Sequence, residues 1–214
     1  VKDVVESLGV PHTEVDLILV NGKSVGFDYL INNRDDIAVY PVFESLDISG
    51  VQHLRSKPLR KPKFVADVHL GQLTKYLRMM GFDVFYRNNL KDDEIVNMSL
   101  KERRAILTKD RGILKRNDVT HGYWVRRKKV NEQAIEILKR FDLKNQINEF
   151  SRCIECNQLL KPVPKYKILN ELPVKVVQSQ NEFYRCPSCN KIFWKGTHYQ
   201  KMLSFIQSVE NSEF

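Results

Sequence analysis

Two Cys-x-x-Cys pairs, Cys153/Cys156 and Cys186/Cys189, constrain this chain more than any other feature, and no cysteine is left over. With no charged-then-apolar leader ahead of the first domain, the expected compartment is the cytosol, where paired thiols mean a metal more often than a disulfide. Four thiolates suit one tetrahedral zinc ion in a closed, structural site. The 29 residues between the pairs exceed the usual spacing of about 15–20. The segments "PVPKYKIL" and "VKVVQSQNEFYRC" offer strands for a ribbon there. Two redox Cys-x-x-Cys motifs are the rival reading.

The rest of the chain divides by composition. Its 214 residues allow one large domain or two to three small ones, and its net charge is +9. That balance favours an anionic partner, with nucleic acid set against a merely solvated basic surface. No run of about 18 apolar residues suggests a membrane span. The sequence opens on Val1 rather than Met, as a fragment or a trimmed chain would.

Residues 1–46 read as strands around one helix. Val1, Val4, Val5 and Leu8 fall at helical spacing before Gly9, and "VDLILVNGKSV" gives a strand and an Asn21-Gly22 hairpin turn before "DDIAVYPVF". Residues 47–62 read as a linker. From Gln52 to Lys63 there are five Lys/Arg, two prolines and no acid, suited to a solvated tether or to contact with a polyanion.

Residues 63–150 alternate strand and helix. "KFVAD", "FDVFY", "AILT" and "GYWVR" are strands, and "LGQLTKYLRMMG", "DDEIVNMSLKER", "DRGILKR" and "NEQAIEILKRF" are helices or turns. This rhythm predicts a parallel sheet with helical crossovers, and hence an α/β domain. In an open parallel sheet the loops after the strands share one edge, where ligands bind. Asp67 closes the first strand, Asp92, Asp93 and Glu94 open the helix after the second, and Asp110 follows the third. Carboxylates that converge repel one another unless one is protonated or a hard cation such as Mg²⁺ or Mn²⁺ lies among them. Such a cation lowers the pKa of bound water and stabilises displacement at phosphorus. Capping of the second helix is the plainer role for Asp92 or Asp93, and Asp110 could cap the turn before Ile113. Asp67, at the end of an apolar strand, needs a partner in any case.

Taken in order, "FVADVHLGQLTKYLRMMGFDVFY", "DDEI", "ILTKDRGIL", the cysteine pairs and "FWKGTHYQKM" resemble the Mut-seven C-terminal RNase domain family over residues 63–202. The resemblance implies a PIN-like nuclease domain at 63–150, a Cys₄ zinc ribbon at 151–202, a tail at 203–214, and cleavage of RNA with Mg or Mn. The family's first-strand acid maps onto Asp67, its mid-domain acid onto Asp92 or Asp93, and its T-x-D acid onto Asp110. Where PIN nucleases show a fourth acid, this chain reads Arg111-Gly112, and its next acid is Asp118. Residues 1–46 resemble the ubiquitin-like β-grasp domain that precedes this nuclease in some members, without the opening hairpin. Carrier members of that group end in Gly-Gly, whereas here Phe43 leads into Glu44-Ser45-Leu46.

RNA, alone or within a ribonucleoprotein particle, is the expected partner. Arg78, Lys109, Arg111, Arg126, Arg127 and Lys128 are the candidates to hold its phosphates, with "RRKK" read either as a phosphate surface or as a solvated loop. Trp194, Lys195, His198 and Tyr199 alternate rings and charge as a base-stacking surface does. Phe193 and Trp194 could equally finish the ribbon core, and His198 could touch RNA, move a proton or satisfy a carbonyl. A non-catalytic RNA- or ribonucleoprotein-binding module is the alternative function. A DNA-binding ribbon protein is a third reading that leaves the acids unexplained.

Overall fold

The computed structural model describes residues 1–41, 54 and 62–210, except the side chains of His198 and 208–210. The expected linker therefore lies almost wholly outside the described residues. In the N-terminal segment, α1 (Lys2–Ser7) leads through Gly9 and a 3₁₀ turn at His12–Glu14 into β1 (Val15–Val20). β1 is the middle strand of an antiparallel sheet, flanked by β2 (Lys23–Ser24) and β3 (Ile37–Pro41). Asn21 and Gly22 both take positive φ, 50° and 78°, as the hairpin turn between β1 and β2 requires. Val5, Val15, Ile18 and Val20 form a small core of their own.

The central body is a four-stranded parallel sheet built from β4 (Lys63–Ala66), β5 (Val84–Phe85), β6 (Arg104–Thr108) and β7 (Gly122–Trp124). Between them run α2 (Gly71–Met79), α3 (Asp92–Glu102) and α4 (Arg111–Leu114), and α5 (Val130–Arg140) follows. The spatial order β5-β4-β6-β7 places the first and third strands side by side at the centre. Strand alternation divides the core. Phe64, Ala66, Ala105 and Leu107 join the α2/α5 layer, while Val65 and Ile106 join Ile95, Val96 and Ile113 beneath α3 and α4. All five residues of β6 are buried, as covering on both faces demands. Gly81, at φ 95° after α2, cannot be replaced cheaply, because a Cβ there would stand 2.2 Å from the Asn148 carbonyl.

A third, antiparallel sheet of β8 (Lys161–Pro162), β9 (Tyr184–Arg185) and β10 (Ile192–Phe193) accompanies the cysteine pairs. Between β8 and β9, "VKVVQS" forms α6 (Val174–Ser179) rather than the expected strand. Pro173 presents its carbonyl to the amides of Val176 and Val177, which starts a helical turn despite the three valines. Likewise, α7 (Thr197–Glu210) runs across the expected boundary at 202/203. Its Tyr199, Met202 and Ile206 are buried in the α2/α5 layer, so this segment packs as core rather than trailing as a tail.

The edge strands of the parallel sheet are both covered. Beside β7, Glu14 accepts the Trp124 amide at 2.9 Å and pairs with Arg126 at 2.6 Å, while His12 Nε2 meets the Val119 carbonyl at 2.9 Å. Beside β5, Asn157 Oδ1 accepts the Val84 amide at 3.0 Å. The N-terminal segment thus caps one edge and the first cysteine knuckle caps the other, which removes two exposed ladders.

Candidate active site and cysteine cluster

Because β4 and β6 are neighbours whose connections leave in opposite directions, the crevice at their carboxyl ends is where ligands settle in such sheets. Asp67 follows the last residue of β4 there. It is 6% exposed, and three donors hold its carboxylate. Oδ1 accepts the His69 amide at 2.8 Å, and Oδ2 accepts the Thr108 hydroxyl at 2.5 Å and the Lys109 amide at 2.7 Å. An ionised carboxylate has about four lone-pair sites, so Asp67 retains capacity for one further ligand.

Thr108 links the two strand ends. Its hydroxyl donates to Asp67 and accepts the Asp110 amide at 2.8 Å. Asp110 is exposed and caps α4, its Oδ1 accepting the Gly112 amide at 2.7 Å. The T-x-D pattern therefore has a physical content that reading its acid alone missed: the threonine fastens one carboxylate while aiming the loop that carries the next.

The acids of α3 stand differently. Asp92, Asp93 and Glu94 are exposed in its first turn. Asp93 pairs with Arg116 at 2.5 Å, and the same guanidinium holds Asp118 at 3.1 Å. Hydrogen bonds from Arg116 keep the Asp118 carboxyl below its ordinary value, and donation to Asp118 and then to Asp93 pushes the Arg116 pKa further up. Glu94 accepts the Lys91 amide, which lowers its pKa, and pairs with Arg87. Asp92 has no salt bridge among the described residues. No three carboxylates among those residues bring oxygens within 4.8 Å of one another, whereas the four cysteines do bring their sulfurs that close.

Cys153 and Cys189 lie 3.6 Å apart at sulfur, Cys156 and Cys186 3.2 Å, and no disulfide joins them. A tetrahedron of Zn–S bonds of about 2.3 Å sets sulfurs at about 3.8 Å, so the cluster has nearly the size zinc needs. The two knuckles repeat one design, Cys-x-x-Cys-Asn, with Asn157 and Asn190 at positive φ, 72° and 59°. In each, the asparagine amide returns to the carbonyl of the first cysteine. Burial pushes the Cys153 thiol up to about 12. Burial also opposes the Cys156 thiolate, yet the Gln158 amide and the neighbouring thiols hold that group down to about 7.

Several candidate RNA contacts have other work. Arg78 is 3% exposed and donates to the carbonyls of Val84, Ile154 and Glu155, so it ties α2 and β5 to the first knuckle and presents nothing to RNA. Tyr199 is buried, its hydroxyl donating to Glu149 at 2.7 Å, which takes it out of a stacking surface. Arg126 is committed to Glu14 and stacks on Trp124 and Tyr123. Arg127 and Lys128 keep exposed side chains on a loop whose backbone is fastened by Glu136 and Gln133. Lys109 donates its ammonium to the Arg127 carbonyl, and Arg111 lies over the Trp124 ring at 4.7 Å. Trp194 is half-buried beside Phe183, and Lys195 pairs with Glu182 at 3.5 Å. The His198 side chain lies outside the described residues.

A family model described as the Mut7-C RNAse domain matches residues 62–206, and one described as Mut7-C ubiquitin matches residues 1–47. No curated protein and no solved structure matches the chain.

Proposed function

This chain belongs to the Mut7-C RNAse domain family, with a Mut7-C ubiquitin segment ahead of it, and from that premise we propose that it is a metal-dependent ribonuclease of PIN type. The reading rests above all on one observation: Asp67 and Asp110 occupy adjacent strand ends at the switch point, joined through the Thr108 hydroxyl. Hard oxygen donors suit Mg²⁺ or Mn²⁺, and such ions are commonly held by one or two carboxylates with waters and substrate phosphate completing the shell. Asp67 and Asp110 would hold it, with Asp92 or Asp93 on the α3 side. When bound, the ion would supply charge stabilisation at phosphorus and an activated water.

The chain's own groups prepare that chemistry. The amides of His69 and Lys109 and the Thr108 hydroxyl keep Asp67 oriented, so little reorganisation is needed when RNA arrives. Lys109 and Arg111 flank Asp110 and offset the repulsion between its carboxylate and a phosphodiester. The four cysteines would hold one structural zinc, and the exposed Arg127 and Lys128 would extend the phosphate surface. Of the expected domain limits, the nuclease at 63–150 and the start of the ribbon at 151 complete the proposal, while the expected ribbon end at 202 falls inside α7.

The Arg116–Asp93 pair favours a second reading, a non-catalytic RNA-binding module, because it withdraws the α3 acid from the crevice. Cleavage of a labelled mixed RNA pool with Mg²⁺ or Mn²⁺ separates the two. We expect cutting that depends on added Mg²⁺ or Mn²⁺ in chelator-free buffer and falls at least a hundredfold in Asp67→Asn and Asp110→Asn, as for removal of a major transition-state contact. Salt-sensitive binding without cutting, unchanged in both variants, would leave the binding module.

A further inference from the structure

A cleft of about 620 Å³ opens where the N-terminal segment meets the loop carrying Asp110. Asp67 is not among its lining residues; it lies behind the loop, holding the Lys109 amide. Asp110, one of the proposed metal ligands, does line it, so the cleft adjoins the proposed scissile position on the Asp110 side.

Its chemistry is that of a phosphate site. Arg111 is fixed by stacking on Trp124, and Trp124 is itself anchored by donating its indole N–H to the Lys109 carbonyl at 3.2 Å. Stacking leaves the edges of a guanidinium free for oxygen acceptors. Lys115 is exposed on the same wall, and neither cation has a salt bridge among the described residues. Across the cleft stand Ser7 and Gly9 of the N-terminal segment. Gly9 sits at φ 90°, and a Cβ there would lie 3.4 Å from Arg111 Nη1, so backbone comes close enough to confine that guanidinium. Glu6, a carboxylate on the same wall, is turned to His12 Nδ1 at 2.7 Å.

We infer that this cleft is a subsite for a phosphate of single-stranded RNA next to the cleaved bond, with the ubiquitin-like segment as its second wall. The inference rests on the ribonuclease reading. The volume matches a site for a drug-sized molecule, hence a nucleotide or two of flexible strand. An A-form duplex, recognised across its wide minor groove, does not enter a slot walled on both sides. The N-terminal segment would thus select strand type, while Lys115 and Arg111 supply charge.

The test uses the full chain purified with zinc, in buffer without chelator and without Mg²⁺ or Mn²⁺, and two fluorescein-labelled probes: a twelve-nucleotide single strand and the same sequence in duplex. Ser7→Glu and Lys115→Glu should each weaken single-strand binding about tenfold and lower the salt slope by about 1. Ser7→Lys should tighten binding severalfold, a gain that misfolding cannot produce; Ser7 is exposed and closes α1, where a cation is tolerated well. The duplex should bind more weakly than the single strand. Ser7 variants that bind like the parent would overturn the second wall, whatever Lys115 does, and a duplex bound as tightly as the single strand would overturn the strand selection. Because binding is read without Mg²⁺ or Mn²⁺, failure of the ribonuclease reading would appear separately, as no cleavage when those ions are added, with this pattern of affinities intact.

Discussion

The two edges of the parallel sheet are closed by the same device and held by different forces. At β7, a carboxylate from the N-terminal segment takes the Trp124 amide and the Arg126 guanidinium. At β5, an asparagine from the cysteine knuckle takes the Val84 amide, and the buried Arg78 takes the Val84 carbonyl while gripping the knuckle's own carbonyls. One edge therefore depends on an ion pair half open to water, and the other on a knuckle whose shape depends on four sulfurs. The proposed catalytic acids lie between them, at β4 and β6, so each flanking unit supports one side of the crevice. We expect them to fail independently.

Metal removal should have the largest effect. Structural zinc in finger peptides is worth about 10–16 kcal/mol in apparent terms, so chelation of the proposed ion should unfold the knuckles. Hydrogen exchange should then show Val84 and Phe85 losing protection while Tyr123 and Trp124 keep theirs. Equal loss at both edges would mean that the sheet fails as a unit. Arg78→Met should come next. It leaves the buried Val84 carbonyl and the part-buried carbonyls of Ile154 and Glu155 short of a donor and should cost roughly 2–4 kcal/mol in denaturant unfolding, with the same β5 bias in exchange. Glu14→Ala inverts the pattern. An orphaned Trp124 amide and an unpaired Arg126 should cost roughly 1–3 kcal/mol and expose β7 while β5 is unchanged.

Much of this arrangement is written locally. The alternation of apolar strands and amphipathic helices in 63–141 made the parallel sheet legible, though not its strand order, and the Asn21-Gly22 turn, the Gly81 helix end and the cysteine pairing are all local chemistry. The edges were not legible, because they depend on partners far apart in sequence: Glu14 with Trp124, Asn157 with Val84, Arg78 with the carbonyls of 154 and 155. Charge type alone made Arg78 resemble an RNA contact, and only burial shows its role. The same holds for Tyr199, whose place among lysines suggested stacking but whose i+3 and i+7 neighbours, Met202 and Ile206, take it into the core. At the candidate site, Asp67 and Asp110 were readable from strand ends. Arg116, the neutraliser of Asp93, was not, since a four-residue helix and a turn bring it back across 23 positions.

The smallest expected effect sharpens the comparison through pH. Asp83, just before β5, receives the Arg104 guanidinium at 2.6 Å and the Asn157 amide at 2.7 Å, with Arg152 at 3.6 Å. Burial works against its ionised form, but the hydrogen bonds from Arg104 and Asn157 prevail and hold its pKa below the ordinary 3.8. A carboxyl whose folded pKa is depressed contributes stability that is complete above the unfolded value and is lost as pH falls through the folded one. The β5 edge should therefore weaken below about pH 3.8. Acid also strips thiolate ligands of metal, so the informative quantity is the difference between the parent and Asp83→Asn across that range. The parent's advantage should shrink as pH falls below 3.8, without a matching change in Trp124 exchange. An advantage independent of pH would mean that Asp83 closes the edge by shape rather than charge, leaving the knuckle and Arg78 to hold it.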